Sequence, residues 1–273
     1  MKGIFFLTIF FSLFSLEASV IRVSDVEAVN KYARDGSLIL LSLDSVVMFP
    51  KQMVGTEGWF YERLENLKKE AGHSDPLQTA VEEKIALTFT VDYELGHPNI
   101  AKVLAALSLS NAQVLGVSQM PIATANHLLR SASALGITFS SSPQLHNGWL
   151  PHPKTAGKPQ HAMFIEDQVL FTGGYTNGIT MDEAIITLFS QLEKRPKQII
   201  YLDSNEERLS LVEHACKQAR VSFIGMLYKP GVERHEAYNS DIANIQWQQL
   251  CQNVSNEYFQ TLLSFVLGPE AQG

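Results

Sequence analysis

The stretch LILLSLDSVVMFP, residues 38–50, carries the clearest structural signal of the chain, because it places an aspartate directly after a run of large apolar residues. Residues 38–43 are too few for an ordinary helix and lack helical spacing, which predicts a strand buried on both faces, as in parallel sheets. Asp44 then lies at the carboxyl end of that strand, the edge of an open α/β sheet where ligands bind. The alternative is that Asp44 only forms a turn or caps the next helix.

Apolar patterns typical of strands and of helices alternate along the rest of the chain. Strands are predicted at residues 113–117, 137–139, 198–202 and 221–227, and a hairpin at 163–172. Helices are predicted at residues 98–107, 121–136, 180–193, 205–216 and 242–265. This alternation predicts an α/β fold with a Rossmann-like, mainly parallel sheet, helices on both faces and right-handed crossovers.

The segment that follows the first strand, residues 49–97, has a looser pattern. Its apolar residues between Trp59 and Leu67 predict one short helix ending near Gly72, and the alternation from Ile85 to Val91 predicts a strand or flap. We interpret the segment as a small cap inserted over the site. An ordinary connecting helix is the alternative.

The N-terminus predicts export. A lone cationic residue, Lys2, precedes an apolar run at residues 4–16, which has the length of a signal-peptide core and is too short to span a membrane. Residues 1–19 are therefore predicted to be a signal peptide with cleavage near Ala18, and residues 20–273 an α/β domain in the periplasm or secreted. We expect no membrane span after the signal is removed.

The net charge of the chain argues against a nucleic-acid partner, and its two cysteines raise the question of a disulfide. The formal net charge of −7 opposes binding to nucleic acid, and no basic cluster offsets it. After export Cys216 and Cys251 could form a disulfide, but two buried free thiols are the preferred interpretation.

Polar residues follow three of the predicted buried strands, namely Asp44, Ser118 and Asp203. If these strands are neighbours, the three side chains converge on one crevice, as phosphoryl transfer through an aspartate nucleophile requires. Two facing carboxylates repel each other, and a divalent cation between them removes the repulsion. Mg²⁺ accepts such sites readily, so Mg²⁺ is the expected cofactor.

At these positions the chain resembles the haloacid dehalogenase-like (HAD-like) superfamily, most closely a branch of exported proteins from intracellular bacteria. The resemblance covers residues 38–228. It rests on four motifs in order, which are SLDSVVMFP at 42–50, VLGVS at 114–118, FTGGYTNG at 171–178 and IIYLDSNEE at 199–207. It implies that Asp44 is the nucleophile, that Ser118 holds the phosphoryl oxygens, and that Asp203 binds Mg²⁺ together with Asp44 and the carbonyl of Val46. The cap would screen the site from water.

The departures from the superfamily's pattern concern its working groups. The acid that protonates the leaving group is replaced by Val46, and a positioned general acid contributes roughly 100- to 10,000-fold in rate. Asn177 stands where related exported proteins have a lysine. Ser204 replaces a frequent second aspartate, with Glu207 as a substitute. Lys154 or Lys158 could reach the site from the loop that precedes the hairpin.

These observations predict an exported HAD-like protein with a degenerate phosphatase site, weakly active or non-catalytic, that binds a metal, a small phosphorylated molecule or a protein partner. The alternative is an active Mg²⁺-dependent phosphohydrolase that uses Asp44 as its nucleophile. A periplasmic binding or interaction protein, in which Asp44 and Asp203 are only structural, is a further alternative.

Overall fold

Eight strands form the central sheet in a computed structural model, which describes residues 19–70, 74–110, 112–139, 145–158 and 162–253. The strands of the protein are β1 (Ser19–Val23), β2 (Ser37–Ser42), β3 (Met48–Pro50), β4 (Tyr93–Leu95), β5 (Gln113–Ser118), β6 (Gly148–Leu150), β7 (Met163–Glu166), β8 (Val169–Phe171), β9 (Gln198–Asp203) and β10 (Ser222–Tyr228). The order in the sheet is β1-β10-β9-β2-β5-β8-β7-β6. The first six of these pair in parallel, and β7 and β6 are antiparallel. The predicted α/β class with a mainly parallel sheet is confirmed.

Helices pack on both faces of this sheet. The α-helices are α1 (Glu57–Lys69), α2 (Pro76–Thr88), α3 (Ile100–Ser108), α4 (Ala125–Ala134), α5 (Gly174–Asn177), α6 (Met181–Gln191), α7 (Glu206–Ala219), α8 (Lys229–Glu236) and α9 (Ser240–Asn253). Every residue of β2 is buried, because Ile39 and Leu41 pack with α3 and α4 while Leu38 and Leu40 pack with α6 and α7. A strand buried on both faces lies at the centre of a three-layer fold.

Residues 48–95 leave the sheet between β2 and α3, and we call them the cap segment. Antiparallel pairing of β3 with β4 closes its base, and α1 packs against α2 above that pair. The strand or flap predicted from Ile85 to Val91 is wrong, because Ile85 lies in α2 and Val91 in the turn that follows. The alternation of apolar and polar residues indicated a strand, but Asp75 and Pro76 begin a helix that continues through Ile85. The Asp75 side chain caps this helix by accepting a hydrogen bond from the Gln78 amide.

Two further predictions about strands need correction. β1 was missed. It is an edge strand beside β10, and Val20 and Arg22 are exposed, so it has no long apolar pattern. The strand predicted at residues 137–139 is absent, because β5 is already flanked by β2 and β8 and offers no free edge. The helix predicted at residues 180–193 is confirmed as α6, which begins with a capping box between Thr180 and Glu183.

Three predictions fall partly outside the described residues. They are the signal peptide, of which only residue 19 is described, the end of the cap-segment helix near Gly72, and the part of the terminal helix beyond residue 253. Within the described ranges, none of the helices is long and apolar enough to cross a membrane. Cys216 and Cys251 are free thiols, the first buried as predicted and the second exposed, contrary to prediction.

Candidate functional site

The three predicted site residues lie at the same edge of the sheet. The strand order runs from β2 through β5 to β8 in one direction and from β2 through β9 to β10 in the other. β2 and β9 therefore flank a topological switch point, where connections leave in opposite directions and open a crevice. Asp44 follows β2, Asp203 ends β9 and Ser118 ends β5, so the tertiary structure brings all three to this crevice.

A π-helical turn, Leu43–Val47, holds Asp44 at the mouth of β2. The turn closes when the Met48 amide donates to the carbonyl of Leu43. The hydroxyl of Ser118 donates to Oδ2 of Asp44 at 2.6 Å, and the Met120 amide donates to Oγ of Ser118 at 3.1 Å. This chain of hydrogen bonds fixes one carboxylate oxygen of Asp44. Turns of this type occur often at functional sites.

A lysine of the cap segment lies in the same pocket as this carboxylate. Lys84 lies on α2, lines the pocket with Asp44, and donates a hydrogen bond to the carbonyl of Gly55. Burial raises the pKa of Asp44, although the hydrogen bond from Ser118 and the positive charge of Lys84 oppose the shift. Burial lowers the pKa of Lys84, against the attraction of Asp44. Both side chains are partly exposed and line the same pocket, so the charge of each affects the pKa of the other.

A second, denser cluster of charges surrounds Asp203, which is fully buried. Arg208 donates from Nε and Nη2 to the two oxygens of Asp203 at 2.9 and 2.8 Å, and its Nη1 is 2.7 Å from Oε1 of Glu57. Although burial opposes its charge, these two carboxylates hold the pKa of Arg208 well above its ordinary value. Tyr201 also donates to Asp203, and the proximity of that carboxylate adds to burial in raising the pKa of Tyr201. Arg208 thus ties the first residue of α1 to the end of β9.

The residues predicted to hold Mg²⁺ do not fit that ion. Both oxygens of Asp203 already accept hydrogen bonds from Arg208, and further donors reach them from Tyr201 and the Asn205 amide. The carbonyl of Val46 lies against Gly96, where an added Cβ would be 1.9 Å from the oxygen. The described ranges hold no group of three or more His, Cys, Asp or Glu side chains arranged to bind a metal. Mg²⁺ requires about six oxygen ligands in octahedral geometry, and here two basic side chains occupy the neighbourhood.

Of the remaining positions that the sequence singled out, Asn177, Lys154 and Glu207 do not line the pocket. The side chain of Asn177 closes its own loop, because it donates to the Thr172 carbonyl and accepts from the Ile179 amide, both at 2.8 Å. Lys154 pairs with Glu183 at 2.7 Å. Glu207 is exposed, whereas Ser204 does line the pocket. Neither Asn177 nor Lys154 therefore contributes its side chain to the pocket.

The pocket itself has a cavity of about 90 Å³, room for several waters or one small anion. Four tyrosines contribute to its wall, namely Tyr93, Tyr175, Tyr201 and Tyr238. Charged or titratable residues of the cap segment and of α7 and α8 also line it, namely Glu57, Lys84, Arg208, Arg234 and His235. Arg234 is paired with Glu94 at 2.7 Å across the base of the cap segment. An aromatic wall with a few enclosed charges is typical of small-molecule sites.

Sequence reasoning missed Lys84, Glu57 and Arg208. Lys84 had a usable signal, because in a helix it falls one turn from Ala80 and from Thr88, both buried, and a lysine on a buried stripe needs a partner. That signal was hidden by the mistaken strand. Glu57 and Arg208 had no comparable signal, since charged residues in the first turn of a helix are common.

Comparisons with known proteins agree over almost the whole chain. The model of the family described as "Protein of unknown function (DUF2608)" matches residues 19–260. A "Putative outer membrane protein" of Chlamydia pneumoniae is 42% identical over 252 residues, which are 92% of each chain. A second protein of that name and organism is 24% identical over 96% of this chain and 98% of its own. No solved structure matches the chain. The chain therefore belongs to the DUF2608 family.

Proposed function

We propose that this is an exported HAD-like protein whose pocket binds a small phosphorylated molecule, and that it hydrolyses that molecule weakly or not at all. The observation that carries the proposal is that Asp44 and Lys84 line one pocket at the switch point of the sheet, while the buried hydroxyl of Ser118 donates to Asp44. A carboxylate, a hydroxyl and an ammonium from three separate elements are the groups that hold and polarise a phosphoryl group.

The balance of charge favours Lys84 as the group that meets the anion. Arg208 is shared between Asp203 and Glu57, and Arg234 is paired with Glu94, so these guanidinium groups are already neutralised. A lysine ammonium has three donors, of which the carbonyl of Gly55 takes one. The other donors can face a phosphate in the pocket.

Weak chemistry follows from the position of the missing acid. Val46 is fully buried in the apolar core, so the place where the superfamily carries its general acid offers no proton to a leaving group. Without that proton, we expect turnover of an aryl phosphate to lie at least about 100-fold below the enzyme median of about 10 per second. A rate near the median that Asp44→Asn abolishes would instead support the phosphohydrolase alternative.

Replacing Lys84 by Met is expected to weaken the binding of inorganic phosphate by at least about tenfold, because it removes a positive charge from the pocket but keeps the length of the side chain. Isothermal titration calorimetry measures the change. Lys102→Met, at an exposed lysine of α3 paired with Glu27, is the matched control and should bind as the wild type does. Equal affinities for the wild type and Lys84→Met would refute the proposed role of Lys84.

Asp44→Asn is expected to stabilise the protein at pH 7. Because the pKa of Asp44 is raised in the folded state, the stability that its protonated form provides is lost as pH rises through that folded pKa. Asparagine removes this loss and can still accept the hydrogen bond from Ser118. We expect a gain of about 0.5–2 kcal/mol at pH 7 that shrinks toward pH 4, measured by urea unfolding. A destabilised variant at pH 7 would mean that the attraction between Asp44 and Lys84 outweighs the burial.

Export is the part of the proposal that the relatives support. The relatives are each named "Putative outer membrane protein", which supports export, and residues 1–19 have the pattern of a signal peptide. N-terminal sequencing of the mature protein should begin near Ser19. Recovery of the protein with Met1 intact from the cytoplasm would contradict export.

A further inference from the structure

We propose that the guanidinium of Arg208 provides, at Asp203, the positive charge that a divalent cation would otherwise supply, so that the pocket binds its anion without a metal. The part of this inference that concerns the anion rests on the proposed function. The part that concerns the metal does not.

The geometry at Asp203 leaves no coordination site for a cation. An ionised carboxylate offers about four lone-pair directions. Five donors point at the two oxygens of Asp203, and they are Nε and Nη2 of Arg208, the hydroxyls of Tyr201 and Ser45, and the Asn205 amide. The side chain is fully buried, so no solvent-facing oxygen remains for an incoming ion.

The contact between Arg208 and Asp203 is of the strong, bidentate kind. Two parallel N–H···O bonds of 2.9 and 2.8 Å match the fork of a guanidinium to the two oxygens of a carboxylate. An arginine does not lose its charge in a protein, so Arg208 remains a cation paired with Asp203 at any ordinary pH. A divalent ion could reach Asp203 only by displacing a permanent cation.

The same guanidinium also balances the negative charge of the Glu57 carboxylate. Nη1 of Arg208 is 2.7 Å from Oε1 of Glu57, at the first residue of α1 in the cap segment. If Arg208 is removed, two carboxylates are left without their shared counter-charge at the wall of one pocket. One or two such carboxylates, with waters completing the shell, are the ligands that Mn²⁺ or Mg²⁺ takes in proteins. The arginine is therefore the feature that separates this site from a metal site.

The experiment compares the binding of divalent cations and of phosphate. Mn²⁺ is titrated into the wild type, Arg208→Met and Arg22→Met and followed by electron paramagnetic resonance. Arg22 forms an exposed pair with Glu206, so Arg22→Met is the control for loss of an arginine. We expect that neither the wild type nor the control binds Mn²⁺ at Asp203. We expect that Arg208→Met binds Mn²⁺ and that this binding raises the melting temperature of the variant. The phosphate affinity of the wild type should agree within about twofold in EDTA and in millimolar Mg²⁺.

Several results would overturn the inference. The first is that the wild type binds Mn²⁺ and that Asp203→Asn abolishes this binding. The second is that Mg²⁺ raises the phosphate affinity by about tenfold or more. The third is that Arg208→Met folds but binds no Mn²⁺. If Arg208→Met does not fold, the titration of the wild type still decides. If the wild type binds no phosphate under either condition, the proposed function fails, and the Mn²⁺ titration judges the role of Arg208 separately.

Discussion

Arg208→Met is expected to lower the free energy of unfolding by about 3–5 kcal/mol, the range measured when one partner of a buried ion pair is removed. The side chain of Arg208 is 10% exposed and that of Asp203 is fully buried, so water cannot replace the lost hydrogen bonds. The variant leaves the carboxylate of Asp203 without its main counter-charge and frees Glu57 at the start of α1. Urea unfolding at pH 7 measures the loss.

Two comparisons separate the buried network from general effects of losing an arginine. Arg22→Met removes an arginine from an exposed pair whose side chains are 73% and 67% exposed, and it should cost less than about 1 kcal/mol. The double variant Asp203→Asn/Arg208→Met removes the pair together, and its loss should be smaller than the sum of the single losses. A loss of under about 1 kcal/mol for Arg208→Met alone would contradict the picture of a saturated, enclosed cluster.

Gly96→Ala is expected to cost about 3 kcal/mol or more, because there is no space for a methyl group at this position. An added Cβ would lie 1.9 Å from the carbonyl oxygen of Val46 and 2.6 Å from its carbonyl carbon, which are backbone atoms that cannot rotate away. Gly96 also donates to the Val47 carbonyl at 2.9 Å and accepts from the hydroxyl of Tyr228 at 2.8 Å. Relieving the clash must therefore stretch both hydrogen bonds or push back the turn that carries Asp44.

The control for Gly96→Ala is Gly148→Ala, since an added Cβ at Gly148 has no neighbour within 4 Å. It should leave stability unchanged or raise it by a few tenths of a kcal/mol, because alanine restricts the unfolded chain more than glycine does. We also expect Gly96→Ala to weaken phosphate binding, as a displaced Asp44 loses its 2.6 Å contact with Ser118. Similar stability for the two alanine variants would show that the turn yields easily.

The cap segment emerges from these predictions as part of the site and not merely a cover over it. It contributes Lys84 beside Asp44 and Glu57 beside Arg208, while β2, β5 and β9 contribute Asp44, Ser118 and Asp203. Any loosening of the cap segment would therefore change the charge in the pocket as well as its access to water.

Local sequence pattern was enough to predict the sheet, most of its strands and the positions of Asp44, Ser118 and Asp203. The reason is that each of these predictions depends on a short run, since a strand buried on both faces must be continuously apolar and a polar residue at its end must lie at the sheet edge. The same kind of reasoning was wrong for Ile85 to Val91, where alternation and helical spacing coexist within a few residues.

The identity of the charged partners required the folded chain. Arg208 and Glu57 are 151 positions apart, and Asp44 and Ser118 are 74 apart, so no spacing in the sequence joins them. An apolar pattern indicates which positions are buried, but it does not indicate which charges meet once they are inside. Because a buried charge is tolerated only beside its counter-charge, the packing of the cap segment on the sheet edge decides that Arg208 meets Asp203 and Glu57 and that Lys84 lies in the same pocket as Asp44.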